Sequence, residues 1–219
     1  LFRSAEGIHA KTVYLNEMLQ AYGYEQDNNE FFDTLKIWLP EEVEVATFRA
    51  RAEDKGLNLY YDQEGWVGLS LDEAVTLDTM NDLIALFAEA VDALPNYEQS
   101  MEAFEGLWNI DERRIRELDY LQAPIFSRYH SETDMMRYIK HLDRKDISLT
   151  HSMIPLGSCT MKLNPASAMI PITMSGWLNV HPLAPAEQVK GYTEFLNELK
   201  EQLCAVTGFD ACTLQPTSG

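Results

Sequence analysis

Ser152-Met153-Ile154-Pro155-Leu156-Gly157-Ser158-Cys159-Thr160-Met161-Lys162-Leu163-Asn164-Pro165 is the stretch on which the reading of this fold turns. Pro155 and Pro165 fix φ and withhold a donor, and Gly157 permits unusual dihedrals, so the run is expected to form no regular element. Between these punctuators sit a hydroxyl, a thiol, a second hydroxyl and an amine. Reactive side chains carried on irregular backbone are the usual make-up of a site wall.

Towards the N-terminus, Ser131 and Asp134 form a capping box, and the helix that follows is expected to bury Met135, Met136, Ile139 and Leu142. Before it lies an acidic, weakly periodic connector containing Pro95 and Gly106, with one helix near Asp111 to Leu118. Residues 1–92 are more regular. Ile8, Thr12, Leu15, Leu19 and Tyr22 recur at spacings of three and four, which predicts an amphipathic helix over 7–22 that ends at Gly23. Phe31 to Leu39 alternates as a strand, and Pro40-Glu41-Glu42 suits the first turn of a helix that runs to about Lys55 and stops at Gly56. Leu57 to Tyr61 and Trp66 to Leu71 flank Asp62-Gln63-Glu64-Gly65, a four-residue hairpin loop. Thr79 is expected to cap a helix that places Met80, Leu83, Ile84, Phe87 and Val91 on one face. The order helix, strand, helix, strand, strand, helix describes a compact α+β module with an antiparallel sheet covered by helices.

Towards the C-terminus, Pro185 opens a strongly amphipathic helix with Val189, Tyr192, Phe195, Leu196, Leu199, Leu203 and Val206 inward, closed by Gly208. Ala211 to Gln215 reads as a short strand leading into Thr217-Ser218-Gly219. The sequence therefore divides into a small α+β domain over 1–92, a linker over 93–122 and a second unit over 123–219. It begins at Leu1 without an initiator Met and stops in a small-residue loop, so it is expected to be a piece of a longer chain.

Composition excludes several function classes. With 219 residues, 46% hydrophobic, the chain can build real cores. Its 35 acidic against 17 basic residues give a formal charge of −18, which repels a polyphosphate backbone, so nucleic acid is not an expected partner. The three cysteines, at 159, 204 and 212, form no Cys-x-x-Cys pair, and the five histidines show no His-x-x-x-His spacing, so no metal site is expected. An odd, sparse cysteine count points to a reducing compartment. No apolar run approaches the roughly 20 residues that cross a bilayer.

The candidate chemistry lies in three places. A strand followed by Ser218 and Gly219 at a helix threshold exposes N–H groups and a hydroxyl suited to an anionic phosphate, although a plain turn would also use these residues. Cys159, flanked by Ser158 and Thr160, could act as a thiol nucleophile if His151 or His181 approached it, yet no base is placed beside it by sequence. Lys162 suits a Schiff base in type only, because nothing nearby marks a desolvated amine. Asn179-Val180-His181-Pro182 holds a histidine in a restricted pre-proline segment, able to face a ligand or to serve structure.

Phe126-Ser127-Arg128-Tyr129-His130-Ser131-Glu132 with Met135-Met136-Arg137-Tyr138, the run from Met153 to Asn164, His181-Pro182 with Pro185-Ala186-Glu187-Gln188 and Gly191-Tyr192, and Gln215-Pro216-Thr217-Ser218-Gly219 together resemble the glycine dehydrogenase (decarboxylating) family, the P-proteins of the glycine cleavage system. The resemblance spans about half the chain in the same order, and Pro155 to Asn164 is its most specific part. It implies two similar halves of the aspartate-aminotransferase-type, pyridoxal-phosphate-dependent transferase fold. This chain would join them, an α/β protein with an α+β subdomain. Residues 1–92 would close the first half, and those from about 123 would open the catalytic one.

The resemblance further implies pyridoxal 5'-phosphate as cofactor, held at Ser218 and Gly219, with Ser158, Cys159, Thr160 and His181 on the substrate side. It implies glycine decarboxylation, with the aminomethyl group passing to the lipoyl arm of H-protein. The cofactor-bearing lysine would lie beyond Gly219, so no catalytic residue is assigned here, Lys162 included, and the piece alone would be inactive. Expected partners are lipoylated H-protein, the other half of the protein and a second protomer, in a bacterial cytoplasm or, in a eukaryote, a mitochondrion. Met174-Ser175-Gly176-Trp177 departs from the family's usual Trp-Pro-containing segment. Outside the resemblance, two rival readings are a non-catalytic α+β ligand-binding or interaction module and a thiol enzyme built on Cys159.

Overall fold

The computed structural model describes residues 2–147 and 165–215. Its contacts divide the chain into two units, Leu1–Leu118 and Asp119–Gly219. In the first, α1 (Phe2–Ala21) is followed by β1 (Glu25–Gln26), β2 (Thr34–Trp38), α2 (Val45–Asp54), β3 (Tyr60–Tyr61), β4 (Trp66–Ser70) and α3 (Leu77–Ala90). The four strands form one antiparallel sheet in the order β1-β2-β4-β3.

Strand alternation decides which sheet face is covered. Leu35 and Ile37 on β2 pair with Leu69 and Val67 on β4, and all four are buried. They pack in one core with Leu15 and Leu19 of α1, Phe48 of α2 and Met80 and Phe87 of α3. Each such burial contributes about 1.5–3 kcal/mol. On the opposite face Lys36 lies between the rings of Trp38 and Trp66, 5.0 and 4.8 Å from their centroids, and pairs with Asp27 at 2.9 Å. Gly68 makes this close packing possible, because a Cβ would stand 3.3 Å from the Trp66 ring and 3.4 Å from Tyr60 Cβ, so that a ring would have to give by a few tenths of an ångström.

Several sequence expectations change in detail. β2 is shorter than Phe31 to Leu39, and the Asp/Asn-rich turn before it contributes β1, which pairs Glu25 with Trp38. Pro40 does not open α2: Val43 N–H donates to Pro40 O at 2.9 Å in a separate turn, and Glu44 is the N-cap. The cap of α3 is Thr76, whose Oγ1 accepts from Thr79 N–H at 3.2 Å. No helix covers 111–118. Only a 3-10 turn, Glu112–Arg114, forms there, fastened by Asp111 accepting from Arg113 N–H. An earlier 3-10 turn, Met101–Phe104, places Phe104 in the core of the first unit, edge-on to Tyr14.

The second unit carries α4 (Glu132–Asp143), α5 (Ala166–Met169), α6 (Ser175–Leu178) and α7 (Lys190–Thr207). Ser131 caps α4 as expected, its Oγ accepting from Asp134 N–H at 3.1 Å. The apolar faces are formed but not covered. Met135, Met136, Ile139 and Leu142 on α4 are exposed, as are Phe195, Leu203 and Val206 on α7, and no described residue of this unit is buried. Pro185 precedes a 3-10 turn, Ala186–Gln188, rather than the helix itself. Residues 211–215 form no strand, since no described strand lies alongside to pair with them.

Candidate functional site

Ser158, Cys159, Thr160, Lys162, Ser218 and Gly219, the residues on which the sequence places most of the chemistry, lie outside the described residues. His181 is described. It is exposed on the loop between α6 and α7, where its Nδ1 accepts from Leu183 N–H at 3.0 Å and its carbonyl from Ala184 N–H at 3.0 Å. Those bonds hold the ring across a turn and leave Nε2 as the N–H side. Behind the loop, Trp177 of α6 stands edge-on to Tyr192 and Phe195 of α7, with centroids 5.0 and 5.3 Å apart, so it serves as a hydrophobic brace. No other sequence-predicted site residue is seen beside His181 among the described residues.

The most developed polar environment instead surrounds α1 in the first unit. His9 is fully buried, with Nδ1 2.8 Å from Phe32 O and Nε2 3.3 Å from Asn109 N. An amide N–H can only donate, so Nε2 accepts and the proton resides on Nδ1. The ring stacks on Phe32 and meets Trp108 edge-on at 4.7 Å. Lys11 is also buried. Its Nζ donates to Asp72 O and Val75 O, 2.9 Å each, which fastens the loop before α3. Burial pushes the Lys11 ammonium below its ordinary value, against the opposing pull of Asp72 and Glu73.

Sequence reasoning passed over both residues. A signal existed for Lys11, which continues the Leu15 and Leu19 stripe at intervals of four, the position of a long side chain that buries its stem. Beside α1 opens a groove of about 1090 Å³, lined by Ile8, Lys11, Met101, Phe104, Trp108 and Ile115. It is mainly apolar, with Lys11 and Glu73 among its charged lining residues. Among the described residues there is no group of His, Cys, Asp and Glu that could hold a metal ion, and no helix long and apolar enough to cross a membrane.

The sequence pattern of a family described as glycine cleavage system P-protein matches residues 1–87. Among curated proteins, glycine dehydrogenase (decarboxylating) of Bacteroides thetaiotaomicron is 46% identical over 215 residues, 98% of this chain and 22% of that protein. The chain belongs to the glycine cleavage system P-protein family. The namesake from Vibrio parahaemolyticus is 44% identical over 228 residues, covering 100% of this chain and 23% of its own length. Glycine dehydrogenase (decarboxylating) 2 of Pseudomonas fluorescens is 43% identical over 219 residues, 22% of its length. The chain thus spans less than a quarter of these P-protein relatives.

A phosphate-bearing aldehyde cofactor needs free hydrogen-bond donors, most strongly cationic ones. The buried Lys11 ammonium is committed to two backbone carbonyls and His181 faces solvent, so neither is placed to hold the group.

Proposed function

We propose that the chain is part of a pyridoxal-phosphate-dependent glycine decarboxylase and joins its two halves, each of the aspartate-aminotransferase-type fold. The observation that carries this reading is 40–46% identity, along almost the whole chain, to proteins named glycine dehydrogenase (decarboxylating). When bound, the cofactor supplies an electron sink as glycine loses its carboxylate. Ser218 and Gly219 contribute a hydroxyl and an N–H to its phosphate, and Ser158, Cys159, Thr160 and His181 line the substrate side. The aminomethyl group passes to lipoylated H-protein, and a second protomer completes the assembly, in the cytoplasm of a bacterium. The rival reading, a non-catalytic ligand-binding or interaction module, draws on one observation, the apolar groove beside α1.

Borohydride reduction separates these readings. Treated with pyridoxal phosphate and borohydride, the 219-residue chain should show no uniquely labelled lysine; stoichiometric labelling at Lys162 would sink the proposal. In the full-length polypeptide, Ser218→Ala should weaken cofactor binding about tenfold, the worth of one charge-assisted hydrogen bond. Unchanged affinity would remove Ser218 from the phosphate site.

A further inference from the structure

We propose that His9 is a proton-operated latch: the neutral ring holds the strap formed by residues 107–110 against α1, and a second ring proton releases it. The strap is anchored on both sides. Upstream, Phe104 is buried in the core; downstream, Arg114 pairs with Glu30 at 2.6 Å. Between these anchors the Asn109 N–H donates to His9 Nε2 at 3.3 Å, and Trp108 meets the ring edge-on at 4.7 Å. Leu107, Trp108 and Ile110 line the groove beside α1 together with Ile8 and Lys11, so the latch sets the position of one groove wall.

The hydrogen bonds make this ring sensitive to charge. Its Nδ1–H is spent on Phe32 O at 2.8 Å, and its Nε2 lone pair on the Asn109 amide. An imidazolium has two donors and no acceptor, so protonation sets N–H against N–H and leaves a fully buried charged donor without a partner. Hydrating that donor requires the strap to move away. Stacking on Phe32 admits either charge state, whereas the hydrogen bonds admit only the neutral one. Charged groups on the segments packed against His9 are engaged elsewhere. Lys11 donates to Asp72 O and Val75 O, Glu30 holds Arg114, Asp33 accepts from Thr34 Oγ1, and Asp111 accepts from Arg113 Nε at 2.9 Å. Arg3, Glu6 and Glu105 lie along the groove. Arg113 keeps the Asp111 carboxyl below the usual carboxylate range, so Asp111 stays ionised while a free imidazole titrates. Because the closed form has no place for a second proton, opening is coupled to proton uptake. The latch is complete above about pH 6.5, where a free imidazole is neutral, and weakens as pH falls below it.

The test follows the ring nitrogens of His9 and the exchange of the Asn109 amide by NMR in the nitrogen-15-labelled 219-residue chain, as pH is lowered from about 7.5 to about 5. Corrected for the intrinsic exchange rate, protection of the Asn109 amide should fall about tenfold between about pH 6 and about pH 5, in step with protonation of Nε2. Amides of α3 should keep their protection over the same range. His9→Gln retains an acceptor but cannot titrate, so its Asn109 protection should be independent of pH. Glu30→Gln should leave the wild-type dependence in place. A protonated His9 with the Asn109 amide still protected would overturn the proposal, and this outcome is read on the wild-type chain even if His9→Gln fails to fold. So would loss of the pH dependence in Glu30→Gln, which would assign it to the ion pair with Arg114. A parallel loss of protection in α3 would also overturn it, since the acid would then be unfolding the whole unit.

Discussion

Tyr24 and Tyr61 are both removed from water but bonded differently. The Tyr24 hydroxyl donates to Phe87 O at 2.8 Å, whereas the Tyr61 hydroxyl finds no hydrogen-bond partner among the described residues. Tyr24→Phe should therefore cost about 1 kcal/mol, and Tyr61→Phe should be neutral or stabilising by up to about 1 kcal/mol, both read from urea unfolding. Burial pushes the Tyr24 hydroxyl above its ordinary 10.0 and that of Tyr61 up to about 12. Above pH 10 the unfolded chain gives up protons that the folded one keeps. The stability these groups contribute is thus complete below 10 and is lost as pH rises through the folded values. The wild-type urea midpoint should fall from pH 10 upward, and more steeply than that of the Tyr24→Phe/Tyr61→Phe double variant. At this scale the sequence was legible where the stripes of α1 and α3 announced core residues, as with Leu15, Leu19, Met80 and Phe87. It was silent on His9, because the carbonyl of Phe32 and the amide of Asn109 that bury it come from distant segments.

Element ends carry the next test. The structure makes Thr76, not Thr79, the cap of α3, since only Thr76 stands outside the helix with extended backbone and accepts from a free N–H. Thr76→Ala should cost about 1 kcal/mol and Thr79→Ala only a few tenths, measured by thermal unfolding of the same chain. Equal losses would return the cap to Thr79. Local chemistry made the hairpin legible: Asp62 accepts from Glu64 N–H and Gly65 takes φ +95°, both within the four-residue loop. The same reasoning misjudged Pro40, because turn and first-turn chemistry share that residue and the choice depends on where Val43 packs. It also failed for 211–215, where strand-forming residues need a neighbour that the described residues do not offer.

Among the described residues, burial is confined to one unit. Every described residue that is buried lies between His9 and Phe104, and none falls in Asp119–Gly219. Hydrogen exchange of this chain should accordingly protect amides of α1, β2, β4 and α3 to the level of global unfolding, while α4 and α7 exchange near the rate of isolated helices. Protection of α4 equal to that of α3 would contradict the picture. In the intact longer polypeptide, the same α4 amides should become protected as Met135, Ile139 and Leu142 gain cover. What the sequence by itself determined is the family, through the motifs between Phe126 and Gly219, and the order of the three helices, the central strand and the hairpin in residues 1–92, though not β1, because caps, turns and periodicity act over a few residues. Tertiary structure alone decided that His9 and Lys11 are buried anchors, that Phe104 belongs to the core, and that the stripes of α4 and α7 stay exposed. Periodicity records which face a helix offers, whereas burial depends on whether another part of the chain arrives to cover it.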